Sequence, residues 1–145
     1  SDAVESISPD SELLLVQFET DEKVVVDCVN HAIKNNITTV IDCGPTKNFE
    51  LEKMQGATIL SPNESETKAL TGIYPDNEEN ILKASKILQE RSKAKYIVLK
   101  DLDFTKSSSN YSSTFYGEID FQGHKVISNV QSRGNYVLYK EAHSR

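Results

Sequence analysis

Cysteine is scarce in this sequence, basic residues are in the minority, and no apolar run is long. Each shortage closes off a class of protein. Two cysteines, Cys28 and Cys43, in 145 residues cannot form the disulfide framework of a small secreted domain. Both are expected to be reduced, buried thiols in a cytoplasmic protein. A zinc site drawn from Cys28, His31 and Cys43 would lack the paired CxxC spacing that such sites use. The three histidines, His31, His124 and His143, are scattered and show no triad arrangement. Lys and Arg number 16 against 22 Asp and Glu, a net charge of −6. That balance argues against a nucleic-acid or anionic-membrane partner, which requires a basic patch. No run approaches the ~20 apolar residues of a membrane span. No basic, apolar and small-residue leader is visible, so no secretory signal is expected.

What remains is the composition of a folded domain. Apolar residues make up 37% and charged residues 26%. A chain of this size can bury roughly 68–70% of its unfolded surface, enough for a core.

The segments alternate in type. "ELLLVQF", Glu12 to Phe18, is a short continuous apolar run, the pattern of a buried parallel strand. Thr20 and Asp21 can cap a following helix whose Val25, Cys28, Val29 and Ala32 share one face. "NNITTVIDCGP" predicts a turn, a strand over Ile37 to Cys43 and a Gly44-Pro45 stop. A third, short strand follows around Ala57 to Leu60. A helix then starts at Asn63 and stops at Gly72. "PDNEENILKASKILQE" predicts a helix capped by Asp76 or Asn77, with Ile81, Ala84, Ser85 and Leu88 on its inner face. "KAKYIVLK" is a fourth strand.

Alternation of this kind predicts an α/β fold with a parallel sheet and helices on both faces. Ligands of such sheets sit at the carboxyl ends of the strands. One rim would then carry Gln17 to Glu19, Asp42 to Gly44, Ser61 to Glu66, and Lys100-Asp101. Asp42 and Lys47 read first as solvated loop residues on that rim. The last third differs. A Ser-rich stretch, Thr105 to Ser113, precedes "STFYGEIDF", "HKVISNV" and "NYVLYKE", which read as antiparallel strands or hairpins at one edge.

The stretch "SPNESETKALTG", Ser61 to Gly72, allows two readings. Asn63 and Glu66 have capping-box spacing, which needs no ligand. A helix N-terminus after a parallel strand also attracts phosphate. Glu64 and Glu66 would repel a bare phosphate, but they suit one that carries Mg²⁺.

These residues resemble a known family. "SPNESETKALTG" is similar to the Pro-Asn-Glu-x-Glu segment, with its following Leu-Thr-Gly, of the ribokinase (PfkB-type) family of carbohydrate kinases. "ELLLVQFE" is similar to that family's Leu-Leu-x-Gln-x-Glu strand, and "TTVIDCGPT" to its strand ending in a Pro-rich turn. The order and spacing agree over about Ser11 to Lys100. The resemblance implies a three-layer αβα sandwich with a mostly parallel, doubly wound sheet, and hairpin additions near the C-terminus. It implies transfer of a phosphoryl group from Mg·ATP to a sugar hydroxyl. Asn63 and Glu66 would help to place Mg²⁺ and the phosphates of ATP, with Glu64 adjacent, and Glu19 would face the sugar.

The departures carry expectations too. The family's fourth strand ends in Thr-Leu-Gly and a Gly-rich turn bordering the nucleotide; here Lys100-Asp101-Leu102 stands in its place. The Gly-Ala-Gly-Asp segment that supplies the anion hole and catalytic base is absent, and "QSRGNY", Gln131 to Tyr136, is its nearest remnant. Asp101 or Asp103 as a substitute base has no geometric warrant. The Gly-rich sugar-binding half of the family is also missing. Residues 1–145 are therefore read as one partial ribokinase-like domain, from a fragment, a truncated homologue or a divergent non-catalytic relative, with little or no kinase activity of its own. The remaining alternative is an unrelated doubly wound domain. Exposed edges of a shortened sheet favour self-association, so a homodimer is among the expected partners.

Overall fold

The computed structural model describes residues 2–19, 21–45, 48–102, 117–121, 124–128 and 135–140. In the last three of these segments, Tyr139 is the one side chain described. Thr20, Lys47, Asp103, the Ser-rich stretch, residues 131–134 and His143 lie outside these residues.

A short helix, α1 (Asp2–Glu5), precedes the first strand, β1 (Leu13–Gln17). The chain turns into α2 (Glu22–Lys34), whose N-cap is Asp21; its carboxylate accepts from the Lys23 amide at 2.9 Å. The predicted inner face of α2, Val25, Cys28, Val29 and Ala32, is the buried one. Strands β2 (Thr38–Asp42) and β3 (Ile59–Ser61) follow. Next come α3 (Glu64–Thr71), α4 (Glu78–Ser92) and β4 (Tyr96–Leu102). Asn77 caps α4 by accepting from the Asn80 amide at 2.8 Å, and Ile81, Ala84, Ser85 and Leu88 are buried, as the periodicity predicts. The chain ends in β5 (Gly117–Phe121), β6 (His124–Ser128) and β7 (Asn135–Lys140).

The seven strands among the described residues lie in one sheet, ordered β1-β2-β3-β4-β7-β6-β5. The first four are parallel; β4–β7, β7–β6 and β6–β5 are antiparallel. The class is α/β, with the expected antiparallel additions at its C-terminal end. Register tells which side of the sheet is covered. Leu14 pairs with Thr39, Val16 with Ile41, Ile41 with Leu60, and Leu60 with Ile97. In parallel strands such partners share a face. Thr39, Ile41, Leu60, Ile97 and Leu99 are buried, in one core with Val25 and Val29 of α2, Leu70 of α3, and Ile81 and Leu88 of α4. Phe49, Leu51 and Met54 from the β2–β3 connection fill the same layer, and Phe18 stacks on Phe49 at 3.9 Å between ring centroids.

Helices α2, α3 and α4 thus all lie on the same face of the sheet, so the described residues show one helical layer where helices on both faces were expected. The cause is topological. Parallel strands taken in the order 1-2-3-4, joined by right-handed crossovers, put every connection on one side. Crossing to the other side requires a reversal of strand order, which these four strands do not contain. The opposite face carries Leu13, Leu15, Val40, Ile59, Tyr96 and Val98. Leu13 and Leu15 are 57% and 61% exposed, so β1 is covered on one face instead of the two that its unbroken apolar run predicts.

Candidate functional site

The carboxyl ends of β2, β3 and β4 meet the N-terminus of α3. Local sequence explains the junction. Pro62 cannot donate to the sheet ladder, and its carbonyl accepts from the Lys100 amide at 3.0 Å. Asn63 then opens α3 with a complete capping box. Its side-chain oxygen accepts from the Glu66 amide at 2.8 Å, and the Glu66 Oε1 accepts from the Asn63 amide at 2.9 Å. Thr67 Oγ1 donates to the Asn63 carbonyl at 2.7 Å. At the other end Gly72 adopts φ 79°, left-handed backbone that favours glycine.

Glu66 is only 5% exposed. One oxygen serves the cap; the other, Oε2, lies against the Gly44 backbone, 3.1 Å from where a Cβ would stand. Gly44 therefore admits the carboxylate by having no side chain. Beside it, Asp42 accepts from the Gly44 amide at 3.3 Å, from Lys100 Nζ at 2.8 Å and from Gln17 Nε2 at 3.4 Å. Burial pushes the Asp42 carboxyl up, but Lys100, the Gly44 amide and Gln17 outweigh it, and its pKa lies below the ordinary value. The Cys43 thiol between these acids is fully buried. Its pKa is pushed well up by burial, then by Glu66 and Asp42, so it stays a thiol.

Asn63 and Glu66 thus form the capping box their spacing predicts, and Glu64 is the first residue of α3. Glu19 is not part of that cluster. It is exposed just beyond β1, with β2 between it and β3, at the mouth of a groove of about 460 Å³ lined by Leu15, Val24, Val25 and Cys28. Asp42 is not the solvated loop residue expected: it ends β2, and its side chain and that of Lys100 are each 29% exposed in their ion pair. Opposite charges at the carboxyl ends of β2 and β4, the strands either side of β3 on one rim, were the signal for this pair. Asp101 is exposed and holds φ 54° where β4 bulges against β7. So β4 runs on to Leu102 through the place where the resemblance puts a Gly-rich turn. Among the described residues no three His, Cys, Asp or Glu side chains are grouped to hold a metal, so Cys28, His31 and Cys43 do not assemble. Nor is any described helix long and apolar enough to cross a membrane.

Chemically, the rim offers the positive end of an eight-residue helix and one buried carboxylate held in place. A bare anion would meet Glu66, whereas a phosphate with Mg²⁺ between it and the carboxylate, through the metal's water shell, fits this donor set.

No protein-family profile matches the chain. It is 29% identical over 90 residues to a bifunctional ribokinase/ribose-5-phosphate isomerase A of Fructilactobacillus sanfranciscensis, covering 62% of this chain and 17% of that protein. It is 30% identical over 81 residues to a ribokinase of Haemophilus influenzae, covering 56% and 26%. Its fold matches the structure of Arabidopsis thaliana ribokinase complexed with ribose and ATP, with a TM-score of 0.59 and 24% identity over 68% of this chain and 31% of that one. The chain spans 17% and 26% of the two sequence relatives.

Proposed function

We propose, on the premise that part of this chain has the fold of the ribokinase-like carbohydrate kinases, that it carries the nucleotide-facing rim of a sugar kinase but does not turn over by itself. Asn63 and Glu66 place Mg²⁺ and the phosphates of ATP, with Glu64 beside them, and Glu19 faces the sugar. The observation that carries the reading is the buried Glu66 carboxylate, pinned between the Asn63 amide and the Gly44 backbone at a helix N-terminus on the rim. A burial this deep costs free energy unless the charge is held. Bound Mg·ATP would supply the phosphoryl group and a divalent charge to neutralise it. This chain's residues orient that complex: the positive end of the α3 dipole attracts phosphate, Glu66 favours its magnesium-bearing side, and the Asp42–Lys100 pair borders it.

Orientation is only part of phosphoryl transfer. The Gly-Ala-Gly-Asp segment is absent from the sequence, and Lys100-Asp101-Leu102 is built into β4. Charge stabilisation at the transition state usually contributes most, so the chain alone is expected to bind without catalysing. The continuation of β4 favours a second reading, that of a non-catalytic nucleotide-binding relative.

Calorimetric titration with Mg·ATP tests the site. Glu66→Gln keeps an oxygen for the Asn63 amide and preserves the capping box, but removes the charge. It should leave the unfolding midpoint unchanged and weaken Mg·ATP about 10–100-fold. No heat of binding to the parent chain, or equal binding by both, would reject the site. Formation of a sugar phosphate from Mg·ATP would reject the inactivity.

A further inference from the structure

Lys100 reaches across the carboxyl end of β3. Its amide donates to the Pro62 carbonyl at 3.0 Å, one residue before the Asn63 cap, and its ammonium donates to Asp42 Oδ1 at 2.8 Å, beyond β3 on β2. It stands where β4 bulges against β7, between Leu99 and Leu102, and bulges beside sites commonly re-aim a side chain. Acidic groups converge next to it. Glu66 Oε2 and Asp42 Oδ1 lie 3.1 and 3.7 Å from the one point where a Cβ on Gly44 would stand. Two carboxylates this close oppose an arriving phosphate, and the partial charge at the start of α3 offsets only part of that repulsion. Lys100 brings a whole positive charge, which Asp42 holds in this structure.

We propose that Lys100 changes partner when nucleotide binds: its ammonium leaves Asp42 for a phosphate of Mg·ATP. Asp42 is then the holder of the lysine, and Lys100 a phosphate contact. This rests on the nucleotide reading given above. The chemistry at both ends permits the exchange. Asp42 also accepts from the Gly44 amide at 3.3 Å and from Gln17 Nε2 at 3.4 Å, so its charge keeps two donors when the ammonium departs. Lysine is a point charge on a flexible stem with rotatable donors, suited to serve one oxygen after another. Its backbone stays pinned to Pro62, beside the helix start where the phosphates are proposed to lie. Phosphate, like carboxylate, takes charge-assisted hydrogen bonds from an ammonium. One ion pair replaces another, and neither a proton nor a covalent bond moves.

Calorimetric titration of the full chain and its variants with Mg·ATP tests the exchange. Lys100→Met removes the cation and should weaken binding about tenfold. Asp42→Asn removes the holder and should tighten binding about two- to fivefold, the worth of an ordinary ion pair near a surface. A pair with only a structural role would instead weaken binding in both. The double variant separates exchange from simple repulsion. It should bind as weakly as Lys100→Met alone, because Asp42 acts through the lysine. If Lys100→Met does not fold, Lys100→Gln takes its place in both proteins. Weaker or unchanged binding by Asp42→Asn overturns the exchange. So does an equal tightening by Asp42→Asn with and without Lys100, which would be the through-space effect of one charge. The Glu66→Gln titration tells the two readings apart. If the parent binds and Glu66→Gln weakens it, either of those results rejects the exchange alone; no binding by the parent rejects both.

Discussion

Arg91 shows how much one side chain can join. From α4 its guanidinium donates to both Glu52 oxygens at 2.8 and 2.9 Å, to the Leu70 carbonyl at 2.7 Å and to the Phe49 carbonyl at 3.0 Å. It ties the end of α3 and the β2–β3 connection to one helix. The hydrogen bond from Arg91 holds the Glu52 carboxyl down from its ordinary 4.5 to about 2. A lowered folded-state value means that this stabilisation is complete above pH 4.5 and fades as the pH falls towards 2. Glu52 is half-exposed, so the contribution is below about 1 kcal/mol. Replacing Arg91 with Met should therefore lower stability at neutral pH, by an amount that shrinks towards pH 2 without vanishing. The two carbonyl bonds are independent of pH, and chemical denaturation of both proteins across that range would show the remainder. If the gap did not narrow, the ion pair would contribute nothing.

Among elements, α3 bears at its first turn both its capping box and the residues proposed to face the nucleotide. Asn63→Ala removes the acceptor for the Glu66 amide. It should cost about 1 kcal/mol of stability, seen as a lower denaturant midpoint at unchanged slope. A loss near zero would mean that the helix does not depend on its cap. Elements of this kind were legible beforehand because their signals are local. Three- and four-residue periodicity picked the buried faces of α2 and α4, and cap spacing placed the start of α3. β4 was read as ending at Lys100, yet it runs to Leu102. Polar Lys100 and Asp101 look like a strand end, but pairing with β7 through a bulge carries the ladder past them. That partner is some 40 residues away in the chain, and no local window contains it.

For the molecule as a whole, the parallel sheet was legible but its coverage was not. An apolar run such as Leu13 to Val16 says that a strand has oily sides, not how many are covered. Sheet order settles that, and order arises from long-range pairing. The Asp42–Lys100 pair escaped for the same reason: its charges are 58 residues apart and meet only once the β2, β3 and β4 ends are aligned. The Asn63–Glu66 cluster, three residues apart, was plain in the sequence.

The position of β7 between β4 and β6 also sets a timetable for synthesis. β1 to β4 can each dock on the strand made just before, so the parallel half can assemble while the ribosome is still at work. The hairpin of β5 and β6 emerges next, yet it reaches the sheet only through a strand made later, Asn135–Lys140. A chain stopped before Asn135 should hold a protease-resistant parallel half with β5 and β6 cleaved early, and equal resistance throughout would contradict this. Until Asn135–Lys140 leaves the ribosome, a nascent chain therefore presents β4 as an unguarded border, and this is the interval in which a holding chaperone has most to shield.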